Sequence, residues 1–338
     1  MKRTTLLLLC LACVICTFAQ DPHFSQFYSS PLTLNPAFTG KFNGDLRVAG
    51  NYRNQWPTIN KAYTTGTVSA DFGILKNKVA NNDTWGVGIM ALTDQSAAGA
   101  VKFNYIALST AYHKSLDEDG FKQLGIGFQT TYSNMNIYTS KLTFEDQLAS
   151  DGTFSLPTSE VFPGSVLKKN YIDLNAGVLY TSSFTDHDNL YAGISMYHIT
   201  RPQEQFTTTG YYVLNPRFTF QAGGYFLVGE RNTLHLSALH SEQAGANETV
   251  LGGAIQLPVG DAVMDEKPVS VYFGAWMRLK DALIPYVGLD YSDFHLGLTY
   301  DYNTSSLKTA SNSRGGVEIS LIYIKQPVSG KSLPCPRF

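Results

Sequence analysis

Apolar residues recur at every second position along much of this chain, and this pattern constrains its fold more than any other feature. The clearest stretch sets apolar side chains against polar or small ones: Phe294, Leu296, Leu298, Tyr300 and Tyr302 against His295, Gly297, Thr299 and Asp301. Successive side chains of a β-strand point to opposite faces, so a period of two predicts strands rather than helices. Most such stretches end at Gly, Asn, Asp or Pro, which favour turns.

We count fourteen such stretches: 45–55, 61–73, 84–93, 101–114, 120–132, 171–182, 189–199, 215–228, 233–240, 247–257, 268–280, 283–291, 293–302 and 315–324. Single-chain bacterial outer-membrane barrels have an even number of antiparallel strands. Ten residues that rise ~3.3 Å each along a strand tilted by ~40° cover ~25 Å, the height of the apolar band of such barrels. We therefore predict an all-β transmembrane outer-membrane β-barrel of about 14 antiparallel strands over residues 44–324.

The connections between these strands differ in length on the two sides of the predicted barrel. With a periplasmic N-terminus, long connections face outside and short ones face the periplasm: 133–170, 200–214 and 303–314 against 115–119, 183–188 and 229–232. This asymmetry is typical of outer-membrane barrels, although 74–83 and 258–267 are longer than it predicts. The longest connection, 133–170, is either a lid packed into the barrel mouth or an external surface that docks a partner.

The first nineteen residues read as a cleavable Sec signal peptide. Lys2 and Arg3 precede an apolar run at 6–15 that is too short to span a bilayer, and Ala19 ends a small-x-small cleavage pattern. Cleavage leaves Cys335 as the single cysteine of the mature chain, so no intrachain disulfide is expected.

The composition also favours a membrane barrel over a soluble β-sandwich, whose strands alternate in the same way. Charged residues make up 15% of the chain, against roughly 25% in a typical soluble domain. Tyr and Phe number 20 each, and aromatic residues concentrate where a barrel meets the bilayer interfaces. The formal net charge of −2, without a basic patch, argues against a nucleic-acid partner.

Nine charged residues fall within predicted strands: Arg47, Arg53, Lys102, Asp173, Arg217, Arg278, Asp290, Asp301 and Glu318. A charge that faces lipid near the bilayer midplane costs ~2–4 kcal/mol for Arg or Lys. We therefore expect these side chains to point into the barrel or to lie near strand ends. Because both signs are present, we expect interior ion pairs rather than a strongly ion-selective pore.

We predict that the chain is not an enzyme and that it has no catalytic, cofactor-binding or metal-binding residues. The nearest match to a hydrolase site is His235 with Ser237 on one strand face, which we interpret as a polar wall of the lumen. Two acidic turns, 117–120 and 186–189, lack the spaced oxygen ligands of a calcium loop and suit ordinary turns. The GxG pairs at 86–88 and 125–127 lie inside strands, so we expect bends or close packing there rather than a nucleotide site.

Short motifs near both ends of the chain occur in a specific order and spacing. They are Asp21-Pro22-His23-Phe24-Ser25-Gln26-Phe27-Tyr28, Pro31, Leu34-Asn35-Pro36-Ala37-Phe38-Thr39-Gly40, Tyr52-Arg53-Asn54-Gln55-Trp56-Pro57, Pro285-Tyr286-Val287-Gly288, Leu296-Gly297-Leu298-Thr299-Tyr300-Asp301, Gly315-Gly316-Val317-Glu318 and Cys335-Pro336-Arg337-Phe338. These motifs resemble those of the PorP/SprF family, whose members are outer-membrane proteins tied to the type IX secretion system of Bacteroidota. The resemblance covers the whole mature chain.

The resemblance implies a non-enzymatic outer-membrane component of type IX secretion. Such a protein assists export or surface attachment of a secreted partner, such as a large adhesin in gliding bacteria. The implied partners are outer-membrane lipid and either the secretion machinery or an adhesin-like cargo protein. The resemblance also marks family-signature residues that are possible partner contacts: Phe24, Gln26, Phe27, Tyr28, Asn35, Pro36, Phe38, Gly40 and Trp56. From the barrel alone, the alternative is a diffusion channel or hydrophobic-ligand transporter.

Two irregular segments flank the predicted barrel. Residues 20–43 lie ahead of the first strand, at the periplasmic side, and Pro22, Pro31 and Pro36 favour an extended path. This segment either plugs the lumen or contacts its rim, or it is a tether that docks a periplasmic component. Residues 325–338 are expected to be a periplasmic extension.

Overall fold

The computed structural model describes residues 21–59, 62–75, 82–185, 188–204, 206, 212–259 and 269–326. The predicted signal peptide and all but the first two residues of the predicted tail lie outside these described residues, as does part of the acidic turn 186–189. Among the described residues, no helix is long and apolar enough to cross a membrane.

The described residues form sixteen strands. These are β1 (Leu46–Gln55), β2 (Tyr63–Ile74), β3 (Thr84–Ser96), β4 (Val101–Ser115), β5 (Lys122–Tyr138), β6 (Val166–Ser182), β7 (Asn189–Tyr197), β8 (Gln203–Glu204), β9 (Tyr212–Val213), β10 (Arg217–Val228), β11 (Asn232–Gln243), β12 (Ala246–Val259), β13 (Val269–Arg278), β14 (Ala282–Tyr291), β15 (Phe294–Asn303) and β16 (Arg314–Lys325). Short helical turns are Phe27–Ser29, Pro31–Leu34, Pro36–Phe38, Ala97–Gly99, Thr139–Lys141, Glu145–Gln147 and Lys308–Ser311.

Fourteen of these strands close into one antiparallel barrel, and β8 and β9 form a separate two-stranded sheet. Each barrel strand pairs with its neighbours in sequence, apart from the pairing of β7 with β10, and β1 pairs with β16 to close the barrel. The predicted fourteen-stranded antiparallel barrel is therefore confirmed.

The alternating residues point to opposite sides of the barrel wall, as predicted. In β15 the apolar side chains are exposed on the outer surface, while Thr299 and Asp301 are buried inside. Of the nine charged strand residues, eight face the interior and Lys102 faces outward close to the start of β4. The outside of the barrel is thus apolar and its interior is polar.

The clearest difference from the sequence prediction concerns β5 and β6. They continue to Tyr138 and back from Val166, so the predicted loop 133–170 is reduced to residues 139–165. Pairing persists through this extension, but its outward side chains are mostly polar, among them Asn134 and Asn170. The outward residues stop being regularly apolar before the strands end, so a prediction based on alternating apolar residues underestimates the length of β5 and β6.

The two mouths of the barrel differ. One mouth, which we call the loop mouth, carries the long connections 139–165, 198–216 and 304–313. The other, the turn mouth, carries connections of at most nine residues, among them 229–231 and 292–293, while the short connections 244–245 and 279–281 lie at the loop mouth. The connection 75–83 is again long for its side, as in the sequence pattern, and 260–268 falls outside the described residues.

Candidate functional site: the plugged lumen

Residues 21–43, which we call the plug, run through the lumen from one mouth to the other. At the loop mouth, the backbone N–H of Asp21 donates to Gln243 Oε1 (2.8 Å) at the end of β11. At the turn mouth, the ammonium of Lys41 donates to Gln123, the second residue of β5. The predicted position at the periplasmic side therefore holds only for the last residues of the segment, whereas the predicted insertion into the lumen describes the rest.

The plug is the core of the molecule. Nearly all of its residues from Phe24 to Phe42 are buried, and their aromatic rings pack against the barrel wall. The ring of Tyr28 lies 4.7 Å from that of Trp276, and the ring of Phe38 lies 5.7 Å from that of Tyr191, measured between centroids. The outward apolar residues of the barrel strands face lipid and do not form an interior core. The plug supplies much of that core inside the lumen.

A buried network of charged residues holds the first half of the plug; we call it the charge cluster. Its members are Arg53, Glu248, Arg278, Asp301 and Glu318. Asp301 Oδ2 accepts from Arg53 Nη2 and from Arg278 Nη1, both at 3.0 Å. Arg278 Nε lies 3.0 Å from a carboxylate oxygen of Glu248. Arg53 on β1 is the cross-strand partner of Glu318 on β16, so the charge cluster spans the seam that closes the barrel.

The plug supplies further hydrogen bonds to the charge cluster. The two oxygens of Glu318 accept from the backbone N–H groups of Ser25 (2.7 Å) and Gln26 (2.9 Å). The Ser25 hydroxyl donates to Asp301 (2.8 Å) and accepts from Arg278 Nη2 (2.7 Å). Buried charges are costly unless they are paired and fully hydrogen-bonded, so the charge cluster and the plug depend on each other.

A second ionic anchor lies near the turn mouth. The Arg47 guanidinium donates to both oxygens of Asp71, at 2.9 and 2.8 Å, and also to the Phe38 carbonyl (3.0 Å). The backbone N–H of Gly40 donates to the same carboxylate (2.7 Å). Paired donors of this kind fix a carboxylate in one orientation, and here they tie the end of the plug to β1 and β2.

Glycines in the wall make room for the middle of the plug. A Cβ at Gly177 would lie 1.9 Å from Asn35 Oδ1, and a Cβ at Gly127, its cross-strand partner, would lie 2.3 Å from the Ala37 nitrogen. Asn35 Nδ2 then reaches the carbonyls of Val178 (3.1 Å) and Ile194 (3.2 Å). The close packing expected at Gly127 is therefore packing against the plug, whereas a Cβ at Gly125 would meet the ring of His113 in the wall.

At the loop mouth the plug ends in a second group of charges. The ring of His198, just past the end of β7, lies between two carboxylates, Asp21 (2.7 Å) and Asp173 (2.5 Å). Burial would lower the pKa of His198, but these two carboxylates outweigh it and raise the pKa to about 9. Burial would raise the pKa of Asp21, but His198 and Arg217 together hold it below its usual range.

This arrangement predicts that the plug end loosens at alkaline pH. Because the folded-state pKa of His198 lies above its ordinary value of 6.5, the stabilisation is complete below pH ~6.5 and is lost as the pH rises through about 9. Hydrogen exchange of residues 21–24, corrected for the intrinsic rate, should therefore be faster at pH 10 than at pH 7. The amide of Gly40, bound to Asp71, serves as the internal control. Equal corrected rates at both pH values would contradict this role of His198.

A cavity of about 490 Å³ lies beside the plug, in the half of the lumen nearer the turn mouth. Tyr28, Trp276 and Tyr286 form its inner wall, and Asp293 and Gln326 line it at the turn mouth. A second cavity of about 50 Å³, nearer the loop mouth, shares no lining residue with it. Both cavities border β10–β12, one towards each mouth of the barrel.

The residues that come nearest to enzyme or metal chemistry do not form such sites. Ser237 Oγ accepts from Trp276 Nε1 (2.9 Å), whereas His235 Nε2 lies 3.1 Å from Gln256 Oε1, so each is engaged elsewhere. The carboxylate of Asp117 accepts from the backbone N–H of Lys122 (3.1 Å), as a turn residue does. Within the described residues, no group of three or more His, Cys, Asp or Glu side chains is placed to hold a metal ion.

Comparison with known families identifies the chain. Residues 16–323 match the family model of the type IX secretion system membrane protein PorP/SprF. This chain belongs to the PorP/SprF family. The PorP/SprF assignment makes it a membrane component of type IX secretion, as the sequence resemblance predicted, and together with the barrel fold it implies the outer membrane. Outer-membrane barrels typically have short periplasmic turns and longer extracellular loops, from which we infer that the turn mouth of this PorP/SprF protein is periplasmic and its loop mouth extracellular.

Several solved structures are distantly similar to the PorP/SprF chain. The Pseudomonas putida toluene transporter TodX aligns with 7% identity and a TM-score of 0.48, over 88% of this chain and 93% of that one. The monoaromatic hydrocarbon channel CymD aligns with 10% identity and a TM-score of 0.46, over 89% and 94%. BamA from Haemophilus ducreyi aligns with 9% identity and a TM-score of 0.42, over 83% and 70%. The comparison with curated proteins found no match to the sequence of this chain.

The structure places the family-signature residues of this PorP/SprF chain in one region, with one exception. Seven of them are buried in the plug: Phe24, Gln26, Phe27, Tyr28, Asn35, Pro36 and Phe38. Gly40 is near the turn mouth and has a φ of 71°, in the left-handed region that favours glycine. Trp56 lies apart, at the loop-mouth end of β1, with its ring 5.7 Å from that of Tyr63. The buried members contact the barrel wall, and their role as partner contacts stays a prediction.

Sequence reasoning missed the aromatic cavity and the partners of each buried charge. Tyr286 was noted only within a family motif, and Tyr272, Trp276 and His295 carried no local signal of a cavity. The alternation sets His295 on the polar face of its strand, but it does not indicate which inner residues the plug leaves uncovered. Only the path of the plug decides that.

Proposed function

We propose that this PorP/SprF protein is a non-enzymatic outer-membrane component that assists the export or surface attachment of a secreted partner, such as a large adhesin. The plug carries this proposal, because residues 21–43 occupy the lumen between the two mouths and their backbone donates hydrogen bonds to carboxylates buried in the wall. A barrel filled by its own chain in this way is suited to holding a partner at its mouths rather than passing it through the lumen.

The loop 139–165 supports a contact with the secreted partner. None of its residues is buried, and Phe154 and Val161 are 53% and 90% exposed. The loop is nevertheless ordered, because Asp146 accepts from the backbone N–H of Ser159 (2.6 Å) and Phe144 stacks on Phe162 (5.7 Å). An ordered extracellular loop with exposed apolar side chains fits a docking surface better than a lid, which would bury them.

The turn mouth supports a contact with the periplasmic machinery of type IX secretion. Its aromatic cavity reaches the periplasmic end of the barrel beside Ser292, Asp293 and Gln326. A protruding side chain or short segment of a periplasmic component would fit there. The two mouths therefore suit a component that meets the machinery on one side and its cargo on the other.

Deletion of the gene followed by comparison of surface proteomes tests the proposed function. Loss of a single adhesin would identify a cargo-specific component, and general loss of type IX cargo would identify a core component. Complementation with the intact gene should restore the surface proteome in either case. An unchanged surface proteome would contradict the proposal.

We predict that the plug stays in place while the protein works. Thr39 Oγ1 and Ser109 Oγ are 3.0 Å apart, so Thr39→Cys with Ser109→Cys should form a disulfide between plug and wall once Cys335→Ser removes the remaining mature cysteine. The locked variant should restore the surface partner to the level of the intact protein, and Thr39→Cys with Cys335→Ser serves as the control. Loss of the partner that a reductant reverses would show instead that the plug must move.

A diffusion channel or hydrophobic-ligand transporter is the competing function, and the cavity of about 490 Å³ is the observation that favours it. Conductance in planar bilayers separates the two functions. We expect no large stable pores from the intact protein, because the plug and the aromatic wall lie between the cavity and the loop mouth. Large stable pores would favour the channel.

A further inference from the structure

A cluster of lysines lies on the outer face of β4–β6, at the loop mouth, away from the plug. The ammonium nitrogens of Lys102 and Lys141 lie 5.6 and 5.4 Å from the ring centroid of Tyr138, so they are at most about 11 Å apart. Asn136 is the cross-strand neighbour of Lys102 on one side and of Lys168 on the other. We call Lys102, Lys141 and Lys168 the lysine cluster.

All members of the lysine cluster are available to a ligand from outside the barrel. Lys102 and Lys168 occupy outward positions, in register with the lipid-facing residues of their strands, and Lys141 is exposed in the following helical turn. Strands on either side of Asn136 are ~4.8 Å apart, which puts the Lys102 and Lys168 backbones ~10 Å apart. Lysine side chains are long enough to converge on one group across that distance.

The lysine cluster is not neutralised by the protein around it. The strands β4, β5 and β6 contain a single acidic residue, Asp173, which faces the lumen and pairs with His198. Among the described residues, no member of the lysine cluster forms an ion pair with a carboxylate; Lys141 donates weakly to the Gly99 carbonyl (3.4 Å). Two cations therefore lie over the Tyr138 ring and a third lies across Asn136 from Lys102, with no ion pair to a carboxylate among the described residues.

The height of the lysine cluster on the barrel indicates which anion it meets. The last apolar row of this face consists of Ile106, Tyr132 and Ile172, cross-strand neighbours that are each more than half exposed. A polar row follows, in which Asn134 Nδ2 donates to Asn170 Oδ1 (2.5 Å). The lysine cluster lies one row further on, ~10 Å above Tyr132 for a strand tilted by ~40°. That is the height of lipid headgroups in the outer leaflet.

We propose that the lysine cluster binds the phosphate of a phosphorylated glycolipid headgroup, of the lipid A type, in the outer leaflet. The ammonium groups of Lys102, Lys141 and Lys168 surround the phosphate, the Asn136 amide and the Tyr138 hydroxyl supply further hydrogen bonds to the headgroup, and the acyl chains lie along the apolar rows below. The site fixes this face of the barrel against lipid and leaves the remaining extracellular surface to a protein partner.

Binding of lipid A to the purified full-length barrel in detergent, measured by native mass spectrometry, tests the site. The variant Lys102→Gln/Lys141→Gln/Lys168→Gln should bind diphosphoryl lipid A about tenfold more weakly, because it removes three exposed cations that each contribute modestly to binding the phosphate. The control, Lys280→Gln/Lys308→Gln/Arg314→Gln, removes three exposed cations elsewhere at the loop mouth and should bind as the unmodified protein does. The unmodified protein should bind dephosphorylated lipid A weakly. Its affinity for that lipid should be no higher than the affinity of the triple lysine variant for diphosphoryl lipid A.

Several outcomes would overturn the proposal. Equal binding of lipid A by the two variants would leave the lysines as solvated surface charges. Equal binding of phosphorylated and dephosphorylated lipid A would assign the affinity to the acyl chains. Efficient competition by millimolar inorganic phosphate would point to a site for free anions rather than for a lipid headgroup. Heat-modifiable migration in gels should be the same for all variants, which shows that each barrel is folded.

Discussion

Replacing Asp301 with alanine should lower the free energy of unfolding by about 3–5 kcal/mol. The side chain of Asp301 is 3% exposed and accepts from two guanidinium groups, Arg53 and Arg278, at 3.0 Å each. Its removal leaves both cations inside the barrel with a shared partner missing, and it also removes the acceptor of the Ser25 hydroxyl. Urea unfolding of the barrel in lipid vesicles, followed by tryptophan fluorescence, measures the change.

The same variant should loosen the plug, because Ser25 joins the plug to the charge cluster. Planar-bilayer recordings should then show brief conductance steps that are absent from the unmodified protein. Asp301→Asn keeps the shape and removes the charge, so it reports on the same contacts if the alanine variant does not fold. The control is Asp151→Ala, which removes an exposed loop carboxylate bonded only to nearby Thr153. If Asp301→Ala and Asp151→Ala unfold alike, the charge cluster does not hold the plug.

The barrel itself could be predicted from the sequence because its physical cause is local. Alternation between lipid-facing and lumen-facing residues is written into each strand, and it gave the number of barrel strands and their approximate bounds. The exception was instructive: β5 and β6 extend beyond the apolar band, where the outward residues are Asn134, Asn136 and Lys168. Strand pairing continues there without the apolar signal on which the prediction depends.

The interior could be predicted only in part because its partners are distant in sequence. Charges inside a barrel were expected to be paired. A charged side chain that faces lipid is costly, so the inward direction of Arg53 and Asp301 could be predicted. Their pairing with each other, and the binding of Ser25 to Glu318 across 293 positions, depends on the barrel's closure. The path of the plug up to the loop mouth had no local signal, so the predicted position at the periplasmic side was too limited.

The position of the charge cluster couples two events in assembly. Arg53 and Glu318 face each other across the seam between the first and last barrel strands, and the plug backbone at Ser25 and Gln26 binds that seam. Closing the barrel without the plug would leave Glu318 without its two backbone donors. The family motifs at the two ends of the chain therefore meet in one place, where the plug and the closing strands stabilise each other.

Replacing Gly177 with alanine should have the second large effect on stability, because the wall leaves no room for a side chain at this position. The added Cβ would lie 1.9 Å from Asn35 Oδ1, so the Asn35 side chain must leave its position between Val178 and Ile194. Overpacking costs ~1–3 kcal/mol and each lost hydrogen bond ~1 kcal/mol, so we expect destabilisation of about 3–5 kcal/mol. Asn35 Oδ1 also accepts from the Ala37 N–H (2.8 Å), so exchange of that amide should accelerate.

The double variant Gly177→Ala/Asn35→Ala tests the cause, because it removes the group with which the new methyl collides. It should be less destabilised than the sum of the two single variants, a coupling that only residues in contact show. The matched control is Gly50→Ala, a strand glycine whose nearest atoms to an added Cβ lie 3.7 and 4.0 Å away. A Gly177→Ala variant as stable as Gly50→Ala, or a double variant whose losses simply add, would mean that Asn35 does not seat the plug. Coupling between these two positions, one in the plug and one in the wall, would show that a signature residue of the family acts by fixing the plug inside its barrel.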